Sequence, residues 1–125
     1  MTPAHITALR QQLGSGQALA DRIHDVDPLL SPNRHTISRW EREGGASPNL
    51  HATAALARVW LTAGYPCTAN GRQATLTTNN PASSHGLPVV VIDGVPYGSA
   101  EVTALDLGDV PETIREAAAR AGYPA

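Results

Sequence analysis

Asn33-Arg34-His35-Thr36-Ile37-Ser38-Arg39-Trp40 is the stretch on which the reading of this chain turns. Ser31-Pro32-Asn33 opens a helix there, because Ser31 or Asn33 can cap its first amides and Pro32 is tolerated in a first turn. Gly44-Gly45 closes it. At helical spacing Arg34, His35, Ser38, Arg39 and then Arg42 share one broad face, while Ile37 and Trp40, three residues apart, share the other. The spacing predicts a short helix held down by two apolar side chains, with arginine and small polar groups turned outward.

Helical periodicity extends to either side. Ile6, Leu9 and Leu13 form one apolar stripe and Leu19, Ala20 and Ile23 a second. Gly14-Ser15-Gly16 separates them, with Ser15 placed to cap the second helix. Ser47-Pro48-Asn49 begins a fourth helix, whose Leu50, Ala54, Ala57 and Leu61 share a face, with Leu56, Val59 and Trp60 beside it. Gly64 stops it. Residues 1–64 are therefore expected to be an all-α domain of four to five helices.

After Tyr65 the period changes. Asn70-Gly71, a strong hairpin signal, lies inside Pro66–Thr78, and Thr75 and Thr77 alternate with Ala74, Leu76 and Thr78 as on an exposed or edge strand. Asn79 to Gly86 reads as a polar loop and Leu87 to Ile92 as a buried strand. Asp93-Gly94 is a second tight turn, into Val95-Pro96-Tyr97-Gly98. A last helix is expected from Pro111 to Ala121, capped by Asp109, with Glu112 near its positive end and Arg120 near its negative end. The whole is an α+β chain, in which residues 65–125 form a small antiparallel sheet with a C-terminal helix.

The composition narrows the chemistry. With 125 residues, 42% hydrophobic, no Phe, two Trp and three Tyr, the core must be aliphatic. No apolar run is long enough to span a bilayer and the N-terminus lacks a signal pattern, so a cytoplasmic protein without membrane contact is expected. The single Cys67 has no partner for an internal disulfide, in keeping with a reducing compartment. All positive charge is arginine. Residues 1–60 hold six Arg against five acids, and residues 61–125 three Arg against six.

Catalytic arrangements are missing from this pattern. His5, His24, His35, His51 and His85 have no metal-ligand spacing, and Cys67 reads as a structural thiol. Ser83-Ser84-His85 resembles a nucleophile and base by composition only, and Gly14-Ser15-Gly16 is too short to cradle a phosphate. Asp106, Asp109, Glu112 and Glu116 are read as solvated surface and helix capping. The expectation is a protein that is not an enzyme and needs neither metal nor cofactor.

The arginine-bearing face of the third helix suits double-stranded DNA. Arginine donates two hydrogen bonds to O6 and N7 of guanine, each good pair discriminating by roughly 1–3 kcal/mol. Positive charge at 34, 39 and 42 lowers repulsion by phosphates. The competing arrangement pairs Arg34 and Arg39 with Glu41, Glu43 or Asp25 on a solvated helix.

Leu9-Arg10, Gln17-Ala18-Leu19-Ala20-Asp21-Arg22-Ile23, Thr36-Ile37-Ser38-Arg39-Trp40-Glu41, Leu50 and Ala54-Ala55-Leu56-Ala57 together resemble the helix-turn-helix domain of the Cro/C1 (XRE-type) repressors. The resemblance covers about half the chain. It implies that the second helix braces against the DNA backbone and the third enters the major groove. It places Arg34, His35 and Arg39 at base edges and Gln17, Ser38 and Arg42 near phosphates, with Asn33 and Thr36 at the same interface and Ile37 and Trp40 packed inward. Two departures from the family pattern stand out: His24–Pro32 is longer than the usual turn and carries Asp25 and Asp27, and Gly16 stands where the family has glutamine.

A sequence-specific regulator of phage, prophage or plasmid type is the function this implies, in the first instance a repressor. One such unit covers few base pairs, so a homodimer on a palindromic operator is expected. The second half is then the natural dimer interface, with Val89, Val91, Tyr97 and Leu105 pairing across a shared sheet; alternatively its strand fills a monomer core. The other functional reading is an antitoxin-like, anti-restriction or anti-CRISPR-type module whose acidic C-terminal half engages a protein partner.

Overall fold

The computed structural model describes residues 1–79, 88–98 and 106–122. The chain is α+β, four helices followed by a five-stranded antiparallel sheet and a C-terminal helix among the described residues. It divides into two compact units, Met1–Val59 and Trp60–Ala125.

In the first unit α1 (Pro3–Leu13) starts from a capping box. The Thr2 hydroxyl accepts from the His5 amide at 3.3 Å, and the Thr2 amide donates to His5 Nδ1 at 3.2 Å. α2 (Gly16–Val26) is capped by Ser15, which accepts from the Ala18 amide at 3.1 Å. α3 (Arg34–Trp40) and α4 (Leu50–Ala63) follow, Asn49 Oδ1 accepting from the Ala52 amide at 2.8 Å. Ile6 and Leu9 of α1, Leu19, Ala20 and Ile23 of α2 and Ile37 of α3 form the core of the unit, all essentially solvent-free. These are the apolar positions that the helical spacing selects in α1 to α3, with the exceptions of Leu13 and Trp40, which are only half-buried.

α4 corrects the expected apolar face. Leu50 is 91% exposed and Ala54 half-buried, whereas Ala52, Ala55, Leu56, Ala57, Val59, Trp60 and Leu61 are buried. The helix is apolar on most of its circumference, so periodicity could not single out one side; Leu50, at its first position, precedes the covered part. The boundary between the units also falls inside α4 rather than after Gly64. The Trp60 ring meets Tyr65 edge-on, centroids 4.7 Å apart and planes at 63°. The Leu61 carbonyl accepts from the Thr78 amide at 3.1 Å. Both contacts assign the last turn of α4 to the second unit.

The sheet has the order β4-β3-β2-β1-β5, with β1 Tyr65–Ala69, β2 Arg72–Thr77, β3 Val89–Ile92, β4 Val95–Tyr97 and β5 Leu107–Gly108. Asn70-Gly71 joins β1 to β2 with both residues at positive φ (51° and 79°), and Asp93-Gly94 joins β3 to β4 in the same way (52° and 79°). This backbone matches the right-handed twist of the paired strands, which is why Asn-Gly and Asp-Gly are so legible as hairpins. β2 is the central strand rather than an exposed or edge one. Thr77 is buried there, and its hydroxyl accepts from the Asn79 amide at 3.0 Å, so threonine is tolerated inside.

Tyr65 lies opposite Leu76, Cys67 opposite Ala74, and Leu76 opposite Val90, building the buried face of the sheet. Burial pushes the Cys67 thiol and the Tyr65 phenol above their usual values, as suits structural groups. α5 (Glu112–Arg120) buries Ile114, Ala117 and Ala118. Its cap position is Pro111 with no side-chain bond; Asp109, the expected cap, is turned into the left-handed region at φ 61°. Arg115 ties the helix to the chain before it, donating from Nε to the Val110 carbonyl at 3.1 Å and from Nη2 to the Leu107 carbonyl at 2.8 Å. Of the expected loop from Asn79 to Gly86 all but Asn79 lies outside the described residues, as do Leu87 and Leu105. Among the described residues no helix is long and apolar enough to cross a membrane.

Candidate nucleic-acid interface

A seven-residue helix is too short to persist in water unaided, so α3 depends on what holds it. Three devices do so. Asn33 Oδ1 accepts from the amides of His35 and Thr36, each at 3.0 Å, and from the Thr36 hydroxyl at 3.2 Å, while the Asn33 amide donates back to that hydroxyl at 3.5 Å. Ile37, with 0% exposure, anchors the inner side. At the far end Arg10 Nε of α1 donates to Glu41 Oε1 of the C-cap at 2.5 Å.

The outward face carries Arg34, His35, Ser38 and Arg39, all exposed, and Arg42 just beyond the helix. Among the described residues none of the three arginines has an ion-pair partner. Three of the acids that could have neutralised them are otherwise engaged. Glu41 is held by Arg10, and Asp21 accepts from Gln17 Nε2 at 2.9 Å. Asp27 pairs with His51 and also accepts from the Leu29 amide at 3.1 Å. Asp25 lies exposed on α2, and neither it nor Glu43 bridges to an arginine. The solvated ion-pair alternative for Arg34 and Arg39 is therefore not what the chain adopts.

The N-termini of α2 and α3 approach closely. A Cβ added at Gly16 would sit 3.7 Å from the Arg34 Cβ, in ordinary van der Waals contact. Gln17 is exposed at this end, but its side-chain amide is held along α2 by Asp21. The long connection after Ile23 is shorter than its sequence implies, because α2 continues to Val26. Its residues are pinned. His24 Nδ1 donates to the Leu30 carbonyl at 2.7 Å, the Leu30 amide donates to the Asp27 carbonyl at 3.0 Å, and Asp27 reaches His51 at the start of α4.

Several expected roles change. Asn33 Oδ1 and the Thr36 hydroxyl bond to each other, and Asn33 Oδ1 also to the first amides of α3, so both residues build the helix as well. Trp40 is half-buried, not core, because α3 ends there and the chain turns away at Glu41. In the second unit Val89, at 7% exposure, is buried opposite Thr77 within its own sheet. Val91 and Tyr97 are half-buried, and Val95 on the edge strand β4, not selected by sequence, is 51% exposed. The sequence also hid Arg10, Glu41, His24, Asp27 and His51 as supports, since partners up to 31 residues apart leave no local pattern.

Among the described residues no group of three His, Cys, Asp or Glu side chains is placed to hold a metal ion. Comparison with protein-family models, characterised proteins and solved structures gave no match.

Proposed function

We propose that this chain is a sequence-specific DNA-binding regulator of the cytoplasm, a repressor acting in the manner of the Cro/C1 proteins that its first half resembles. The observation that carries this reading is the exposed face of Arg34, His35, Ser38, Arg39 and Arg42, whose arginines lack counter-ions among the described residues while Asp21, Asp27 and Glu41 are bound elsewhere. Two unpaired arginines on a buried-anchored helix and a third just beyond its end form a preorganised cationic surface. Arg34 and Arg39 are assigned to guanine edges, Arg42 and Ser38 to phosphates. Because one such unit spans few base pairs, the working form is a homodimer on a two-fold operator.

Fluorescence anisotropy with the DNA upstream of the protein's own gene tests this. Arg34→Ala and Arg39→Ala should each weaken binding to that DNA by about 1–3 kcal/mol relative to unrelated duplex. Binding that is unchanged in the double variant refutes the groove-reading assignment. The second unit presents Asp106, Asp109, Glu112 and Glu116 as exposed acids without an ion-pair partner among the described residues. Capture of a basic protein by this surface, with no duplex bound, would replace the first reading by that of an antitoxin-like module.

A further inference from the structure

Behind α3, on the side away from its arginines, the first unit contains a surface hollow of about 360 Å³. Ile23, Leu30, Pro32 and Trp40 supply apolar walls, and Thr36 and Asn49 polar ones. We propose that this hollow binds a small, neutral, ring-bearing molecule, and that its occupancy tightens the hold on α3. The second clause rests on the DNA-reading function; the first stands without it.

Three observations lead to this chemistry. The volume lies at the small end of the range for small-molecule sites, which is roughly 300–1,000 Å³, and so fits one ring or two fused rings. None of the lining residues is charged, which disfavours an ionic ligand, since a charge buried there would lose hydration without a counter-ion. Trp40 is left half-exposed along the hollow, an aromatic surface that a stacked ring would remove from water.

The walls are specified rather than slack. Leu30 is held by His24 through its carbonyl and by Asp27 through its amide, and Asp27 is itself held by His51. Asn49 Oδ1 is taken by the Ala52 amide, leaving the Asn49 side-chain N–H groups as donors, so a ring bearing a carbonyl, hydroxyl or other acceptor is favoured. A second hollow of about 300 Å³ also meets Trp40, but its rim carries Arg42 and Glu43 and takes a different chemistry.

Coupling to α3 follows from the two wall residues it supplies. Trp40 ends the helix, and Thr36 belongs to the capping box at its start. A molecule against both restrains the two ends of a seven-residue helix at once, and by linkage it binds more tightly to the state in which α3 is formed.

The test uses the full-length protein labelled with 15N and titrated with indole-3-carboxaldehyde, which is neutral with an exocyclic acceptor, and with indole-3-carboxylate as its charged counterpart. The expected result is saturable shifts at the Trp40 side-chain N–H and at the amides of Ile23, Leu30, Thr36 and Asn49. The carboxylate should bind about tenfold more weakly. Trp40→Leu should abolish the shifts, and Ser31→Trp, which places a ring at the exposed rim, should block them with the fold intact by circular dichroism. Absence of shifts at millimolar aldehyde overturns the proposal, as do shifts elsewhere on the protein or equal binding of the carboxylate. With operator DNA present, saturating aldehyde should raise DNA affinity several-fold. Site-specific shifts with unaltered DNA affinity overturn the regulatory clause, whereas shifts in a protein that binds no DNA refute the DNA reading and leave the ligand site standing.

Discussion

Replacing Asn33 by Ala removes the acceptor for two amides, those of His35 and Thr36, each at 3.0 Å, together with the partner of the Thr36 hydroxyl. Loss of a side-chain N-cap costs about 0.5–2 kcal/mol, and a cap serving two amides belongs in the upper part of that range. Opening of α3 should therefore become easier by about 1.5 kcal/mol, a little over tenfold in its equilibrium. Amide hydrogen exchange at Ile37 and Ser38 measures this directly, while exchange in β1–β3 should stay unchanged. DNA affinity should fall in parallel, because the arginine face exists only when the helix does. Asn33→Ser retains an acceptor and should preserve both stability and affinity. Asn33→Asp retains the cap but adds a negative charge at the proposed groove, so stability should hold while affinity drops. If Asn33→Ala exchanges within threefold of the wild type, or if Asn33→Ser keeps its protection but loses DNA, the helix-building role of Asn33 is wrong.

Ile37 is the one fully buried side chain of α3, so Ile37→Ala should cost about 2–5 kcal/mol and Ile37→Val about 0.5–1.5, read from urea unfolding followed by helical circular dichroism. Arg42→Ala should weaken binding to all duplexes alike and reduce the slope of log K against log salt by about one, which a salt titration checks. Arg10→Ala frees Glu41 beside the arginine face; a double-mutant cycle with Glu41→Gln should show coupling of about 0.2–1 kcal/mol, and DNA affinity should fall in the single variant and recover in the double. His5 should give the first helix an acid-side sensitivity. Burial, and then the nearby N-terminal amino charge, lower its pKa below the ordinary 6.5, and its Nδ1 must be unprotonated to accept from Thr2. The unfolded chain takes up the proton first, so this contribution is present above pH 6.5 and disappears as pH falls through the lowered value; His5→Gln, a neutral capping-box residue, should flatten the stability profile in that window.

Local rules were legible to the extent that the physics is local. Helices α1 to α3 followed from apolar residues three and four apart, and Ser15 from its capping chemistry, which also narrowed the cap of α3 to Ser31 or Asn33, the structure selecting Asn33. The hairpin turns at Asn70-Gly71 and Asp93-Gly94 followed from the positive φ that those pairs tolerate. Misreadings began where an element's environment comes from distant chain. Thr75 and Thr77 alternate like an edge strand, yet β2 lies between β1 and β3, and strand order is not encoded in the strand itself. Asp109 looked like a cap by type and position, but the helix starts at Pro111 without a side-chain cap, and Arg115 ties it to the preceding chain by donating to the Val110 and Leu107 carbonyls.

The candidate interface shows the same division. Which residues face outward on α3 was decided by the sequence alone, since a helical period of 3.6 assigns Arg34, His35, Ser38 and Arg39 to one side wherever the helix is placed. Whether those arginines are free was decided only by tertiary structure. Glu41 is adjacent to them in the chain but paired with Arg10, and Asp27 lies in the connection before them but is paired with His51. The hollow beside Trp40 likewise has walls drawn from α2, the connection, α3 and the start of α4. Side-chain charge and helical phase are properties of neighbouring residues, whereas the pairing of charges and the shape of empty space depend on which distant segments the fold brings together.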